Sequence, residues 1–236
     1  MSSEPVAAVI GVTGTVGRAI ARALHGAGWR VVAVSRNETM LEEVAREIGE
    51  GIATVVGSVA DDRSAEQAAA AVRAVAPVLN AVITSVNVPS QSLRVLDMPS
   101  EALVEVFRGN VVSHASAAKA FLPLLAPGGR YVGLGGGMAD FTFPGVGGVS
   151  MCQAAQRNLF RFLALESEGS GRSVVELMLY SHIVDQAGEE AADARSIRAD
   201  EVGAHVVAVL ERPDDFKGPI LALKSRKQVG QPEREP

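Results

Sequence analysis

Apolar and polar positions change period repeatedly along this chain of 236 residues. Seven short runs rich in Val, Ile, Leu and Ala read as buried strands: PVAAVIG (5–11), WRVVAVS (29–35), IATVVG (52–57), LNAVITS (79–85), GRYVGLG (129–135), SVVELMLY (173–180) and GPILAL (218–223). Six intervening segments repeat apolar residues at helical spacing: GRAIARALHGAG (17–28), ETMLEEVAREIG (38–49), RSAEQAAAAVRAVA (63–76), SEALVEVFRGNVVSHASAAKAFLPLL (100–125), CQAAQRNLFRFLALESEG (152–169) and ADEVGAHVVAVLER (199–212). Strand and helix taking turns implies a parallel sheet, because parallel neighbours need crossovers and right-handed helical ones predominate. The expectation is an α/β chain: one domain over residues 1–224, a doubly wound seven-stranded parallel sheet with helices on both faces, and a polar tail over 225–236. Ligands of such a sheet sit at the carboxyl ends of the strands.

A chain 47% hydrophobic and 21% charged fills one large core, and no repeat or Pro-, Gly- or Ser-rich linker divides it. The alanines at 68–71 read as helix surface. A net charge of −5 without a Lys/Arg stripe speaks against nucleic acid and anionic membranes as partners. No apolar run reaches the ~18 residues of a membrane span. The start, MSSEPVAAVIG, lacks a positive region ahead of its apolar run, so it reads as a strand and not as a signal peptide. Cys152 is the only cysteine, which excludes a disulfide framework and suits a soluble protein of the reducing cytoplasm. His25, His114, His182 and His205 lie far apart without ligand spacing, so no metal is expected.

Directly after the first strand comes GVTGTVGRAIARAL, with glycines at 11, 14 and 17. A sharp strand-to-helix turn, close approach of backbone to a pyrophosphate, and tight helix–strand packing each favour a residue without a Cβ. Amides at the helix start, around Thr13, Thr15 and Val16, then face the phosphates. The arrangement predicts a Rossmann-type dinucleotide site. The second strand ends in Ser35, followed by Arg36 and Asn37, where an NAD site offers Asp or Glu to the ribose. A guanidinium there holds a 2′-phosphate and lies against adenine, so NADP(H) is preferred over NAD(H). Ser85 and Asn87 after the fourth strand suit contacts to cofactor or substrate, and are also common turn residues.

Taken together, these segments resemble the short-chain dehydrogenase/reductase family over nearly the whole chain. GVTGTVGRAIARAL followed by VVAVSRN is similar to its cofactor half, and Asn110 in VFRGNVVSHASAAKAFLPLL falls where the family places a structural and catalytic asparagine. GGRYVGLGGG and FPGVGGVSMCQAAQRNLFRFLALE resemble its fifth strand and the helix after it; ADEVGAHVVAVLE with GPILAL resembles its closing helix and strand. The glycine spacing resembles the extended and atypical branches, whereas length and later segments resemble conventional members. The resemblance implies a homodimer or homotetramer, or a heteromer with an active member of the family.

Conventional members reduce carbonyls with a serine, a tyrosine and a lysine four residues beyond the tyrosine. The phenol donates the proton, the lysine lowers its pKa and holds the ribose, and the serine orients the carbonyl. With FPG at 143–145 fixing the register, these positions become Gly136, Val149 and Gln153. None supplies a proton or a charge. Because general acid catalysis contributes ~10² to 10⁴ in rate, conventional Tyr/Lys-dependent carbonyl reduction is expected to be lost. Other family positions differ as well. TSVN (84–87) replaces an Asn-Asn-Ala-Gly segment, Ser58 before Val59 replaces an Asp that meets adenine, and YSHIVD (180–185) replaces a Pro-Gly turn over the nicotinamide.

Tyr180 and His182 end the sixth strand, on the side that faces the reactive ring in this fold, and His182 has the side chain best suited to proton transfer near neutrality. A solvated loop histidine is the plainer reading. Asn110 and His114 lie one helical turn apart, the first with a hydrogen-bonding duty and the second a packing or subunit-contact residue. Cys152 reads as a small buried hydrophobe. Segment 185–199 is a candidate lid or a plain connection, and its small residues argue against tight recognition of a bulky apolar ligand. Three functions fit: a nucleotide-binding regulator or partner subunit, an oxidoreductase with a non-standard proton donor, and a non-redox isomerase, cyclase or lyase on the same scaffold.

Overall fold

A computed structural model describes residues 4–88, 91–185 and 196–232. Its strands and helices run β1 (Val6–Ile10), α1 (Thr15–Gly26), β2 (Arg30–Ser35), α2 (Glu38–Ile48), β3 (Ala53–Val56), α3 (Asp62–Val75), β4 (Leu79–Thr84), α4 (Ser100–Phe107), α5 (Ser113–Phe121), β5 (Leu125–Gly136), α6 (Gly147–Glu166), β6 (Ser173–Leu179), β7 (Ile183–Val184), β8 (Ile197–Arg198), α7 (Ala199–Glu211) and β9 (Ile220–Leu223). Seven strands form one parallel sheet in the order β3-β2-β1-β4-β5-β6-β9. The order reverses between β1 and β4, and the crevice opens there.

Alternation along β1 shows how the two layers arise. Ala7 and Val9 pack with Ile20 and Leu24 of α1 and Val202 and Val206 of α7. Ala8 and Ile10 turn to the other face, with Ala65 and Val72 of α3 and Phe121 of α5. Both faces of the strand are buried, which is why it reads as an uninterrupted apolar run. Caps set the helix starts. Asn37 Oδ1 accepts from Met40 N at 3.0 Å, and Asp61 and Ser64 form a reciprocal capping box at α3.

Four local readings change. Ala68 and Ala69 are buried against the sheet, so half of the alanine run is core and not surface. The segment 100–125 is not one regular helix: a wider π turn spans Arg108–Val112 between α4 and α5, and residues 122–124 form a 3-10 turn. Helix α6 starts at Gly147, five residues earlier than its apolar pattern suggested, because two adjoining glycines hide the onset. Beyond β6, the short parallel pair β7–β8 brings Ile197 into the core; positions 186–195 of the suggested lid fall outside the described residues. The described part of the tail lies on α7, where Gly230 N donates to His205 Nδ1 at 3.0 Å and Val229 packs on the core.

Gly133 in β5 faces Phe160 of α6, and a Cβ there would run into the ring. Gly133→Ala is therefore expected to lower stability by about 1–3 kcal/mol through overpacking. Denaturant unfolding measures the loss, and a second change, Phe160→Leu, should return part of it.

Candidate functional site

The crevice holds a cleft of about 280 Å³ lined by Gly11, Thr13 and Gly14 after β1 and by Ser35 and Arg36 after β2. Ser58 and Val59 close it from β3, and Ser85, Asn87 and Val88 from β4. Nine of the twelve sequence-derived cofactor residues thus share one wall-to-wall space. Thr15 opens into an adjoining cleft, Val16 packs on the core, and Gly17 packs under the turn.

The three glycines have separate duties. Gly11 takes φ +82°, and a Cβ on it would strike the Ser85 carbonyl. A Cβ on Gly17 would strike the Gly11 carbonyl, so this residue seats α1 on the turn. A Cβ on Gly14 would meet only Gly11 O, at 3.5 Å, which leaves its backbone open to the cleft where a pyrophosphate would approach. Thr13 Oγ1 and Ser35 Oγ share a hydrogen bond of 3.0 Å, tying this loop to the end of β2. Arg36 stands beside them, exposed, with no hydrogen-bonded or ion-pair partner among the described residues. These groups fit a phosphorylated dinucleotide.

The segment after β4 is gripped from behind. Asn110 Oδ1 accepts from Val88 N at 3.0 Å, while its Nδ2 donates to Val88 O at 2.9 Å and Val106 O at 2.8 Å. Gly109 lets Val88 approach the π turn, and His114 Nε2 pairs with Val86 O at 3.0 Å. Both Nδ2 hydrogens of Asn110 are spent on backbone carbonyls, so the side chain has no donor left for a substrate and holds the segment after β4 in place. Burial lowers His114 to about 4, so it is a neutral packing residue in edge contact with Phe160.

At the reactive end, Gly136 faces Gln153 of α6, and Val149 lies one turn earlier on the same helix. Of the three positions that the sequence reading set against serine, tyrosine and lysine, the first thus meets the third, and the second and third share one face of α6. Tyr180 leans over Gly137, and its hydroxyl donates to Asp140 Oδ2 at 2.5 Å; Asp140 also takes Arg157 Nη1 at 2.6 Å. Burial, then Asp140, pushes the Tyr180 phenol up to about 12. His182 is exposed on the loop beyond, and its own carbonyl receives Ile197 N at 3.0 Å. Tyr131 is fully buried and paired with Thr84 Oγ1 at 2.6 Å, which removes it from consideration as an acid. Cys152 is buried and its thiol raised to about 11, in keeping with a packing role.

Two features escaped the sequence reading. Glu176, the one acid inside SVVELMLY, is fully buried beside Gly135, and burial holds its carboxyl up to about 8, against the pull of Arg157, Gln156 and Arg161. Its signal was a charge in an otherwise apolar strand. An apolar cleft of about 290 Å³ also runs past the start of α6, walled by Val95, Leu96, Phe141 and Phe143. Leu96 is 87% and Phe143 52% exposed. These side chains come from the loops after β4 and β5, so the weak apolar recognition expected from segment 185–199 overlooked them.

The buried titratable groups set a pH profile. His114 and His205 are held neutral at about 4, so the stability they allow is present above 6.5 and lost as pH falls toward 4. Glu176 is raised, so its contribution is lost as pH climbs from 4.5 to about 8. Stability should peak near pH ~6.5 and fall on the alkaline side by up to roughly 1.4 kcal/mol per pH unit for one proton. Denaturant midpoints from pH 5 to 9 measure this, and Glu176→Gln should flatten the alkaline limb.

Comparison with known proteins agrees with this geometry. The model of the family described as enoyl-(acyl carrier protein) reductase matches residues 11–228. The L-xylulose reductase of Bos taurus is 47% identical over 62 residues, 26% of this chain and only 25% of that protein. The alcohol dehydrogenase of the archaeon Thermococcus sibiricus, solved with 5-hydroxy-NADP, superposes with a TM-score of 0.80 at 22% identity over 99% of this chain and 100% of that one. A Serratia marcescens short-chain dehydrogenase/reductase variant gives 0.84 at 18% identity, over 94% and 97%. With the glycine turn, the seven-stranded order and a family match that spans nearly its whole length, this chain belongs to the short-chain dehydrogenase/reductase family.

Proposed function

We propose that the protein binds NADP(H) in the crevice between β1 and β4 and acts as an oxidoreductase that does not use Tyr/Lys-dependent proton donation. One observation carries the reading: Gly136 at the carboxyl end of β5 faces an uncharged Gln153, with Val149 one turn earlier on α6, in a chain whose cleft at the β1–β4 crevice suits a nucleotide. The scaffold that positions the chemistry is kept while its proton donor is replaced. NADP(H), when bound, supplies or accepts the hydride. The chain's own residues do the rest. Gly14 and the α1 amides take the pyrophosphate, Arg36 takes the 2′-phosphate, Gln153 offers an uncharged carboxamide, and the Phe141–Phe143 side receives the apolar part of a substrate. We place the protein in the cytoplasm as a homodimer or homotetramer.

A second reading, a nucleotide-responsive regulator or partner of an active family member, is favoured by a separate observation. The Asn110 Nδ2 donors are both taken by backbone, and the Tyr180 hydroxyl proton by Asp140.

NADPH is expected to raise the melting temperature more than NADH at equal concentration, because a ligand that binds only the folded form stabilises it. Arg36→Ala should cost about 10- to 100-fold in NADPH affinity, a charge-assisted contact of roughly 1.5–3 kcal/mol, and leave NADH affinity nearly unchanged. Calorimetric titration decides between these outcomes. Equal loss for both nucleotides would remove Arg36 from the 2′-phosphate site.

Stereospecific appearance of deuterium in a product, starting from deuterated NADPH, is the mark of the oxidoreductase. Tight NADPH binding with no label transfer across a broad carbonyl and alkene panel marks the regulator. His182→Ala should leave label transfer within about twofold of the parent, since an exposed loop histidine without a catalytic partner contributes little.

A further inference from the structure

The apolar cleft of about 290 Å³ at the start of α6 takes its walls from three places. The loop after β4 brings Arg94, Val95 and Leu96, the loop after β5 brings residues 141–146, and α6 brings Gly147 and Ser150. Two glycines let these parts meet. A Cβ on Gly147 would strike the Val95 side chain, and one on Gly145, which takes φ +88°, would strike Ser92 Oγ.

The polar side chains of the wall have other duties. Ser150 Oγ donates to Phe141 O at 3.3 Å, Arg94 pairs with Asp97 at 3.5 Å, and Thr142 is exposed. The rest of the wall is carbon almost throughout, so a sugar or polyol placed against it would shed the water on its hydroxyls and gain no partner. An apolar group gains from the same exchange. Volume narrows the choice further, because an apolar cavity of about 150 Å³ holds one benzene ring and this space is close to two such volumes. Leu96, 87% exposed, and Phe143, 52% exposed, line the cleft and lose contact with water when an apolar group fills it.

One wall is also held in advance. Asp140, just before Phe141, accepts from the Tyr180 hydroxyl at 2.5 Å and from Arg157 Nη1 at 2.6 Å, and the Phe141 ring meets Tyr180 edge-on at 6.5 Å between centroids. A wall already in place lowers the ordering cost of binding. Ser150 lies one residue past Val149 and three before Gln153, so the cleft borders the same first turns of α6 that carry those two positions.

We propose that this cleft sets substrate choice: it takes an uncharged apolar group of about ten carbons, as two rings or a chain of like volume, attached to the carbonyl or alkene that reacts. Sugars and polyols are rejected. The inference deepens the oxidoreductase reading and rests on it for the reacting group, whereas the apolar contact itself needs no nucleotide.

The test is equilibrium dialysis of four ketones against the protein, with and without NADPH: methyl naphthyl ketone, methyl decyl ketone, acetophenone and dihydroxyacetone. At least one of the two large ketones should bind tenfold or more tightly than acetophenone, and dihydroxyacetone should not be retained; whichever large ketone leads tells rings from chain. Leu96→Asp and Phe143→Asp change exposed side chains, and each should weaken the leading ketone at least tenfold. Equal retention of acetophenone and both large ketones, or retention of dihydroxyacetone above them, overturns the proposal. So does a leading ketone that ignores both charged variants; if those variants also turn a dimer into a monomer, the face belongs to a second copy of the chain. Should one variant fail to fold, the other decides. Charge-sensitive binding of a large ketone by a protein that binds no NADPH upholds the cleft and sinks the nucleotide reading, and NADPH binding with no ketone retained does the reverse.

Discussion

Where β1 leaves the sheet, the chain must turn with no side chain at all. Gly11 sits in the left-handed region with the Ser85 carbonyl against its α-carbon, and Gly17 sits against the Gly11 carbonyl. Two contacts, both impossible with a Cβ, bring β1, β4 and the start of α1 to one point. The reversal of strand order and the crevice both follow from that point. So does the exposure of Gly14, whose backbone is the only one of the three left facing open space. The residues lining the cleft are spread over four strand ends, and the tight turn is what gathers them.

The far end of the site uses the same device for a different purpose. Gly135, Gly136 and Gly137 make room not for a ligand backbone but for Glu176, Gln153 and Tyr180. The Gln153 carboxamide occupies the space that a side chain at 136 would take, and it would have to swing aside for one. Asn110 belongs to the same logic. It sits in a π turn, where one extra residue per turn frees the Val106 carbonyl to be met by a side chain, and Gly109 brings Val88 within its reach. Its side chain holds the segment 86–88 at Val88, and His114 holds it at Val86.

The fold was legible because a doubly buried parallel strand has no polar face and each helix has one. Ala8 and Ile10 turn one way, Ala7 and Val9 the other, and the pattern along β1 says so directly. The nucleotide end was legible because sterics at Gly11, Gly14 and Gly17 act within a few residues of one another. The other features depend on distant partners. The π turn at 108–112 serves a contact with Val88, twenty-two residues away, and local propensity carries no trace of it. The early start of α6 is masked by Gly147 and Gly148, poor helix formers that are helical here all the same. Ala68 and Ala69 looked like surface because alanine carries no sign of its own burial; only the sheet above them decides.

Glu176 is the sharpest case, since sequence and structure disagree about what a strand interior should contain. An aliphatic residue of similar size would pack beneath α6 without any desolvation cost, and replacing buried charged groups by apolar ones is often stabilising. The position therefore works against the stability of the core in which it sits. Local rules are broken in this way mostly where another requirement is being met. The requirement here has a visible address: the carboxyl fills the space over Gly135, and both of its oxygens are buried without a hydrogen bond. A carboxylic acid kept neutral by its surroundings is a hydrogen-bond donor that an ordinary exposed glutamate at neutral pH is not.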